Sequence, residues 1–447
     1  MKFPMKSRVL QAIDRYGFAL VRSDDTLNRS AWAREPNIIS LLGYKLFRKK
    51  TAAEFAIEEA VLRRQIDVEP ARLDLLEQLD GLLAARGEES PADLREKMLL
   101  LQLERAPERS DLREALEFAR YKQGKLSRER TNEITLEHWR KRDFAPGNIM
   151  IQLTDECNLS CAMCPHHAAS KTRSFMDETL FRTVLNRAAE RKVDNLVFAT
   201  GYGDALLHPK ALDYIKESMD RGFHVMVSTN GNYLKPDQID QLAALNMEII
   251  QYSFFGYDPP SYEQTYVGGK FERASENLRL LKAALVRHKT QTRLQVHGVN
   301  LADDPVRSDK TRAFLLSLGI EDKEILISVA TNFGGKKAQG NYYSKINGKS
   351  NKPLNEMELY LCPLLLSSPG VLVDGRVTAC GCVDNNGSLA MGDVRKNSMK
   401  EIFEGEAYQG LIAAFLDGDL SKYPMCERCD TPYGNINGTL NRIPAKH

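Results

Sequence analysis

The sequence predicts an α/β fold: a partial barrel of six strand–helix units, with an all-helical region before it and a small cysteine-rich, metal-binding domain after it. Three observations carry this reading. From about residue 148 to 332, short apolar runs alternate with amphipathic stretches, the pattern of parallel strands joined by crossover helices. Residues 1 to 140 show almost no strand pattern. The eight cysteines fall into two groups, Cys157 to Cys164 and Cys362 to Cys429, in spacings suited to metal ligation. The expected domains are 1–140, 147–332 and 333–447.

In the N-terminal region, Ile66-Asp-Val-Glu-Pro-Ala-Arg-Leu-Asp-Leu75 is echoed thirty-seven positions later by Leu103-Glu-Arg-Ala-Pro-Glu-Arg-Ser-Asp-Leu112. Such a period suggests stacked helix pairs, loosely like tetratricopeptide repeats. They suit either a groove for a peptide or partner protein, or a helical cap or dimer surface. The basic stretch from Arg120 to Arg142 reads as a helix-compatible linker with a solvated face.

The six strands are expected at Ile149–Thr154, Asn195–Thr200, His224–Thr229, Glu248–Phe254, Arg293–Asn300 and Glu324–Thr331. Asp177 is placed to cap a helix carrying Leu180, Val184, Leu185 and Ala188 at helical spacing. Pro209 opens the next helix and Gly222 closes it. Along the fifth strand Arg293, Gln295 and His297 share one face, and Gln251 with Ser253, and Gln152 with Thr154, do so on the fourth and first. A closed barrel fills its lumen with branched apolar residues, so this polar face points to a cavity for a polar ligand. Further on, Asp374-Gly375 marks a hairpin turn, and Ser398-Met-Lys-Glu401 a capping box opening a helix toward Phe415.

With 43% hydrophobic and 27% charged residues, the chain has the balance of a soluble globular protein. A net charge of +2 argues against a large nucleic-acid footprint. No apolar run has the length of a membrane span, and the first residues lack the apolar core of a signal peptide. Thiolates persist as ligands in a reducing compartment, which makes the cytoplasm the expected location.

The most specific feature is Cys157-Asn-Leu-Ser-Cys161-Ala-Met-Cys164, directly after the first strand. Three thiolates leave one iron of a [4Fe–4S] cube without a protein ligand, free to bind and reduce a substrate. Half a zinc site, or buried apolar cysteines, is the plainer alternative. The stretch Leu153-Thr-Asp-Glu-Cys-Asn-Leu-Ser-Cys-Ala-Met-Cys-Pro165 resembles the signature of the radical S-adenosylmethionine (SAM) superfamily. The resemblance implies that the open iron chelates SAM, and that SAM is cleaved to a 5′-deoxyadenosyl radical that abstracts a hydrogen atom. Met163 stands where the family often has an aromatic residue near the adenine. Gly201-Tyr-Gly-Asp-Ala205 is similar to the family's Gly-Gly-Glu-Pro segment, with Tyr202, Gly203 and Asp204 as implied SAM contacts. Tyr202, Asp204 and Ala205 depart from that pattern. Ser228-Thr-Asn-Gly231 resembles its Thr-Asn-Gly turn, which adds Thr229 and Asn230, and Ser253 matches its fourth-strand serine.

Cys362, Cys380, Cys426 and Cys429 are brought toward one another by the hairpin and helix, enough thiolates for one complete cluster. Their spacing, with Met391-Gly-Asp-Val394, resembles the SPASM/twitch domain, whose shorter form holds one auxiliary [4Fe–4S] cluster. Zinc also suits four cysteines. Cys382 is left over, as an alternate ligand, a buried thiol or a hydrogen-atom donor. The resemblance implies an oxidoreductase with two clusters, SAM and an electron donor such as flavodoxin or ferredoxin. Its expected reaction is the dehydrogenation of a sugar- or cyclitol-like molecule with the auxiliary cluster as electron acceptor. The alternatives are a peptide- or protein-modifying maturase, an epimerase using Cys382, a nucleic-acid-modifying enzyme and a non-enzymatic iron–sulfur module.

Overall fold

The computed structural model describes residues 18–22, 44–48, 52–69, 71–85, 91–164, 174–199, 203–301, 304–329, 331–335, 358–384 and 386–433. Contacts divide the chain into two units, 1–126 and 127–447.

In the first unit, helices Ala52–Val68, Leu73–Ala85, Ala92–Arg105 and Ser110–Lys122 pack in succession. The sequence echo falls at the turn inside each pair. Arg72 forks onto Asp74 at 2.8 and 2.7 Å, and Arg109 forks onto Asp111 at 2.7 and 2.5 Å. Leu62, Leu76, Leu79 and Leu82 form the main core of this unit. The region is not all-helical: β1 (Phe18–Arg22) and β2 (Tyr44–Arg48) pair antiparallel.

In the second unit, β3 (Ile149–Ile151), β4 (Asn195–Phe198), β5 (His224–Thr229), β6 (Ile249–Ser253), β7 (Arg293–Asn300) and β8 (Ile325–Val329) lie side by side and parallel. Period-two burial sets the face of each strand. Leu294 and Val296 are buried toward the helices, while Gln295 and His297 are half-buried on the other face. Helix Glu178–Glu190 begins as its sequence requires, with the Asp177 carboxylate accepting from Leu180 N at 2.9 Å. The next helix starts at Ala211, two residues after Pro209, and ends before Gly222.

The barrel sheet does not stop at β3. Strand β9 (Gly370–Val371) runs parallel to it, and β10 (Arg376–Thr378) and β11 (Ala390–Asp393) follow antiparallel, giving nine strands among the described residues. Beyond them the predicted helix toward Phe415 is two helices, Met399–Phe403 and Glu406–Asp417, broken at Gly405. The capping box at Ser398 and Glu401 is formed.

Helix Arg128–Lys141 corrects the linker reading. Thr131, Asn132, Ile134, Thr135 and Trp139 are buried. Trp139 stacks on Tyr408 at 5.8 Å and meets Phe144 edge-on at 5.1 Å. Asn132 Oδ1 accepts from Leu361 N at 2.9 Å, and Arg128 Nε donates to Leu359 O at 2.6 Å. Charged residues dominate its composition, but Thr131, Thr135 and Trp139 recur every four residues and form a buried stripe. Trp139→Ala is expected to destabilise the second unit by about 3–5 kcal/mol, measured by anaerobic chemical denaturation. Ile57→Ala, on an exposed helix face of the first unit, is expected to change stability by less than about 0.5 kcal/mol.

Candidate iron–sulfur and cofactor site

The first cysteine loop leaves β3 and is held at several points. Thr154 Oγ1 donates to Ser174 O at 2.8 Å and accepts from Glu156 N at 3.0 Å. Ser160 N donates to Val267 O at 2.8 Å, and Ala162 N to Thr265 O at 2.9 Å. Leu159 and Met163 are buried in the main core and anchor the loop between its cysteines. Cys157, Cys161 and Cys164 are half-buried and form no disulfide. Burial, followed by the neighbouring Cys157 and Cys164, pushes the Cys161 thiol far above its usual range. Three crowded thiolates are stable together only around a cationic centre, which matches the thiolate ligation of an iron–sulfur cluster.

The loop after β4 is stitched to the cysteine loop. Gly203 has φ +96°, and a Cβ there would lie 2.2 Å from Thr154 O, so only glycine fits. Asp204 N donates to Glu156 O at 2.8 Å. The Asp204 carboxylate is buried and committed to the protein: Oδ2 accepts from Thr229 Oγ1 at 2.8 Å, Asn230 N at 2.9 Å and Asn230 Nδ2 at 2.8 Å. Oδ1 accepts from Leu206 N at 3.1 Å. Burial raises its pKa, and the bonds from Asn230 and Thr229 oppose that shift. Asn230 Nδ2 also reaches Asn158 Oδ1 at 2.9 Å, in the cysteine loop itself. Asp204, Thr229 and Asn230 are thus brought together, with the side chain of Asp204 bracing the turn. Asn158 was missed; its position between Cys157 and Cys161 was the available signal. Tyr202 lies outside the described residues.

Polar side chains of neighbouring strands line up on one face of the sheet. Ser228, Gln251 and Gln295 share one row, and Ser253 pairs with His297 in the next. Gln251 Nε2 donates to Gln295 Oε1 at 2.8 Å. His297 Nε2 is 2.8 Å from Ser328 Oγ, and burial lowers its pKa to about 4, so it is neutral at pH 7. Ser328 was not singled out from the sequence, because its strand carries no polar alternation.

The second cysteine group gathers around one cavity. Cys362 precedes helix Pro363–Ser367, Cys380 follows β10, and Cys426 and Cys429 flank the end of helix Pro424–Glu427. All four line one partly open cavity, whose wall is otherwise almost wholly apolar. Among the described residues no three His, Cys, Asp or Glu side chains close on a single metal-ion position. Burial pushes the Cys429 thiol up to about 12, eased by a hydrogen bond with Thr431. The thiols of Cys362 and Cys426 also rise through burial and then through their cysteine neighbours. Cys382 is not part of the cavity wall; its Sγ lies 3.6 Å from Met150 Sδ.

A parallel α/β sheet with a three-thiol loop at one strand end and a four-thiol cavity beside it defines an iron–sulfur protein. Residues 151–306 match the family model of the radical SAM superfamily, and residues 362–430 that of the SPASM iron–sulfur cluster-binding domain. The chain belongs to the radical SAM superfamily and carries a C-terminal SPASM domain. Its cofactors are SAM with the [4Fe–4S] cluster of the first domain, and auxiliary iron–sulfur in the second.

A tungsten-containing aldehyde ferredoxin oxidoreductase cofactor-modifying protein of Pyrococcus furiosus is 30% identical over 105 residues, 24% of this chain and 30% of that protein. An AdoMet-dependent heme synthase of Methanosarcina barkeri is 23% identical over 151 residues, 31% of this chain and 40% of that one. The aligned part of the chain thus spans less than half the length of these relatives. Among solved structures, Streptococcus suis SuiB bound to precursor peptide SuiA has a TM-score of 0.48 at 12% identity, covering 77% of this chain and 83% of that one. BtrN in complex with AdoMet and 2-DOIA has a TM-score of 0.42 at 16% identity, covering 64% and 92%.

Two full cubes correspond to about eight irons per chain. Changing Cys157, Cys161 and Cys164 together to Ala is expected to remove about half of the iron found by anaerobic reconstitution and metal analysis, and all formation of 5′-deoxyadenosine. Continued SAM cleavage by that variant counts against the assignment.

Proposed function

We propose that this chain oxidises a hydroxyl-bearing carbon of a sugar- or cyclitol-like small molecule, with the auxiliary cluster as electron acceptor. One observation carries the reading: the auxiliary region contributes strands β9, β10 and β11 that continue the sheet of the barrel, with Cys380 directly after β10, so the two thiol sites are joined through one sheet. When bound, the first cluster and SAM supply the radical that removes a hydrogen atom from the substrate. The resulting carbon radical then loses one electron to the acceptor and its hydroxyl proton to solvent, which leaves a carbonyl.

The lumen supports a neutral, hydrogen-bonding substrate. The Gln251 and Gln295 amides satisfy one another on one side, which leaves one acceptor and one donor edge between them. His297 adds a neutral imidazole. The rows Ser228–Gln251–Gln295 and Ser253–His297 carry no charged side chain, so hydroxyl or amide groups suit this face better than carboxylate or phosphate. Domain limits of 147–332 and 333–447 fit this division of labour, with flavodoxin or ferredoxin as the external electron donor.

A second reading rests on Cys382. Its thiol meets Met150 on β3, which supports a role for Cys382 as the donor that returns a hydrogen atom to a substrate radical, giving an epimer. The two readings separate cleanly. Oxidation consumes one SAM per product, and deuterium on the reacting carbon appears in 5′-deoxyadenosine. Epimerisation in deuterated water raises the product mass by one.

Cys426→Ala with Cys429→Ala is expected to spare reductive SAM cleavage and abolish substrate oxidation. Cys382→Ala is expected to leave turnover unchanged. Loss of product with continued SAM cleavage in that variant supports epimerisation instead, and zinc at the auxiliary site removes the electron-acceptor role.

A further inference from the structure

Behind the auxiliary cavity lies a carboxylate that neither cysteine site uses. Asp384 is 1% exposed. Its Oδ1 accepts from Ser388 N at 2.9 Å and from Ser388 Oγ at 2.8 Å, and its Oδ2 from Leu389 N at 2.8 Å and Thr378 Oγ1 at 2.6 Å. Both backbone amides can only donate. Thr378 Oγ1 takes a bond from Cys380 N at 3.3 Å, which leaves its own proton for Asp384. A shell of donors alone is the shell of an anion, and no cationic side chain pairs with it among the described residues.

The carboxylate is tied to the cavity wall through its neighbours. Asp384 N donates to Cys380 O at 3.1 Å. Leu389 and Met425 line the cavity, and Ser388 Oγ is 3.7 Å from Met425 Sδ. The apolar wall screens the charge poorly.

We infer that Asp384 is a fixed, uncompensated negative charge that holds down the reduction potential of the cluster bound by Cys362, Cys380, Cys426 and Cys429. An added electron makes that cluster more negative, so a nearby anion disfavours the reduced form; net charge and burial are the established protein levers on such potentials. A low potential suits a relay that takes an electron only from a strongly reducing carbon radical and passes it on. The inference rests on the reading of this cavity as an iron–sulfur site. Asp384 touches no reacting atom and acts through its charge.

The test uses the full chain with Cys157, Cys161 and Cys164 changed to Ala, reconstituted anaerobically, so that the auxiliary cluster alone is followed by electron paramagnetic resonance during a redox titration. Adding Asp384→Asn is expected to move the midpoint to a more positive potential at unchanged iron content. An unmoved or more negative midpoint overturns the inference. Ser388→Ala keeps the carboxylate and removes one neutral donor from it, so the midpoint is expected to fall; no change or a rise overturns the inference. This second variant decides the matter if Asp384→Asn takes up no cluster. A parent protein that binds zinc, or no iron, at this site overturns the cluster reading itself, a result distinct from a loaded cluster whose potential ignores Asp384.

Discussion

The organisation of the second unit depends on a short backbone ladder. Asn148 N, Met150 N and Gln152 N each donate at 2.9 Å, to Ser367 O, Pro369 O and Val371 O. These three bonds set β9 against β3 in parallel. The Gln152 side chain extends the seam by accepting from Val373 N at 3.1 Å. The strand that launches the first cysteine loop is therefore also the neighbour on which the auxiliary domain is built. The approach is close enough that a Cβ on Gly381, between Cys380 and Cys382, would stand 2.8 Å from Met150 Cβ. Without this ladder the β3 edge of the six-stranded sheet would be open.

At the C-terminal ends of the strands the constraint is electrostatic. The Asp204 carboxylate sits among Thr229, Asn230 and Leu206 and ties the loop after β4 to the loop after β5. Asn230 extends the bracing to Asn158 in the cysteine loop. Burying a carboxylate without a cation is costly; four donated bonds offset that cost, and the arrangement holds only while all of them are made. The loops that surround a cofactor are thereby positioned by hydrogen bonds within the protein, before any ligand contributes. The auxiliary domain repeats the device with Asp384, whose donors come from both sides of its own loop.

Much of this was legible in the residues. The six barrel strands lie where alternating burial and flanking turn residues placed them, because a two-residue period leaves little freedom in which side faces the core. The three-cysteine loop carries its chemistry in its spacing, as do the capping signals at Asp177 and Ser398. Helix Arg128–Lys141 was misread because charge dominates its composition, while its buried stripe is made of threonines and a single tryptophan. The N-terminal echo did mark a real repetition, the Arg72–Asp74 and Arg109–Asp111 forks, but not the β1–β2 pair beside it.

The sequence by itself determined the local elements, the ligand types and the chemistry they support, since periodicity, capping and thiolate spacing act over a few residues. The tertiary structure alone decided the partnerships between distant segments: β9 on β3, Asp204 on Asn230, Asn158 on Asn230, and Cys382 outside the cavity that the other four cysteines line. Each joins residues tens to hundreds of positions apart or depends on which way a buried side chain turns. Those choices follow from packing and from the need to satisfy every buried polar group, and neither leaves a periodic trace along the chain.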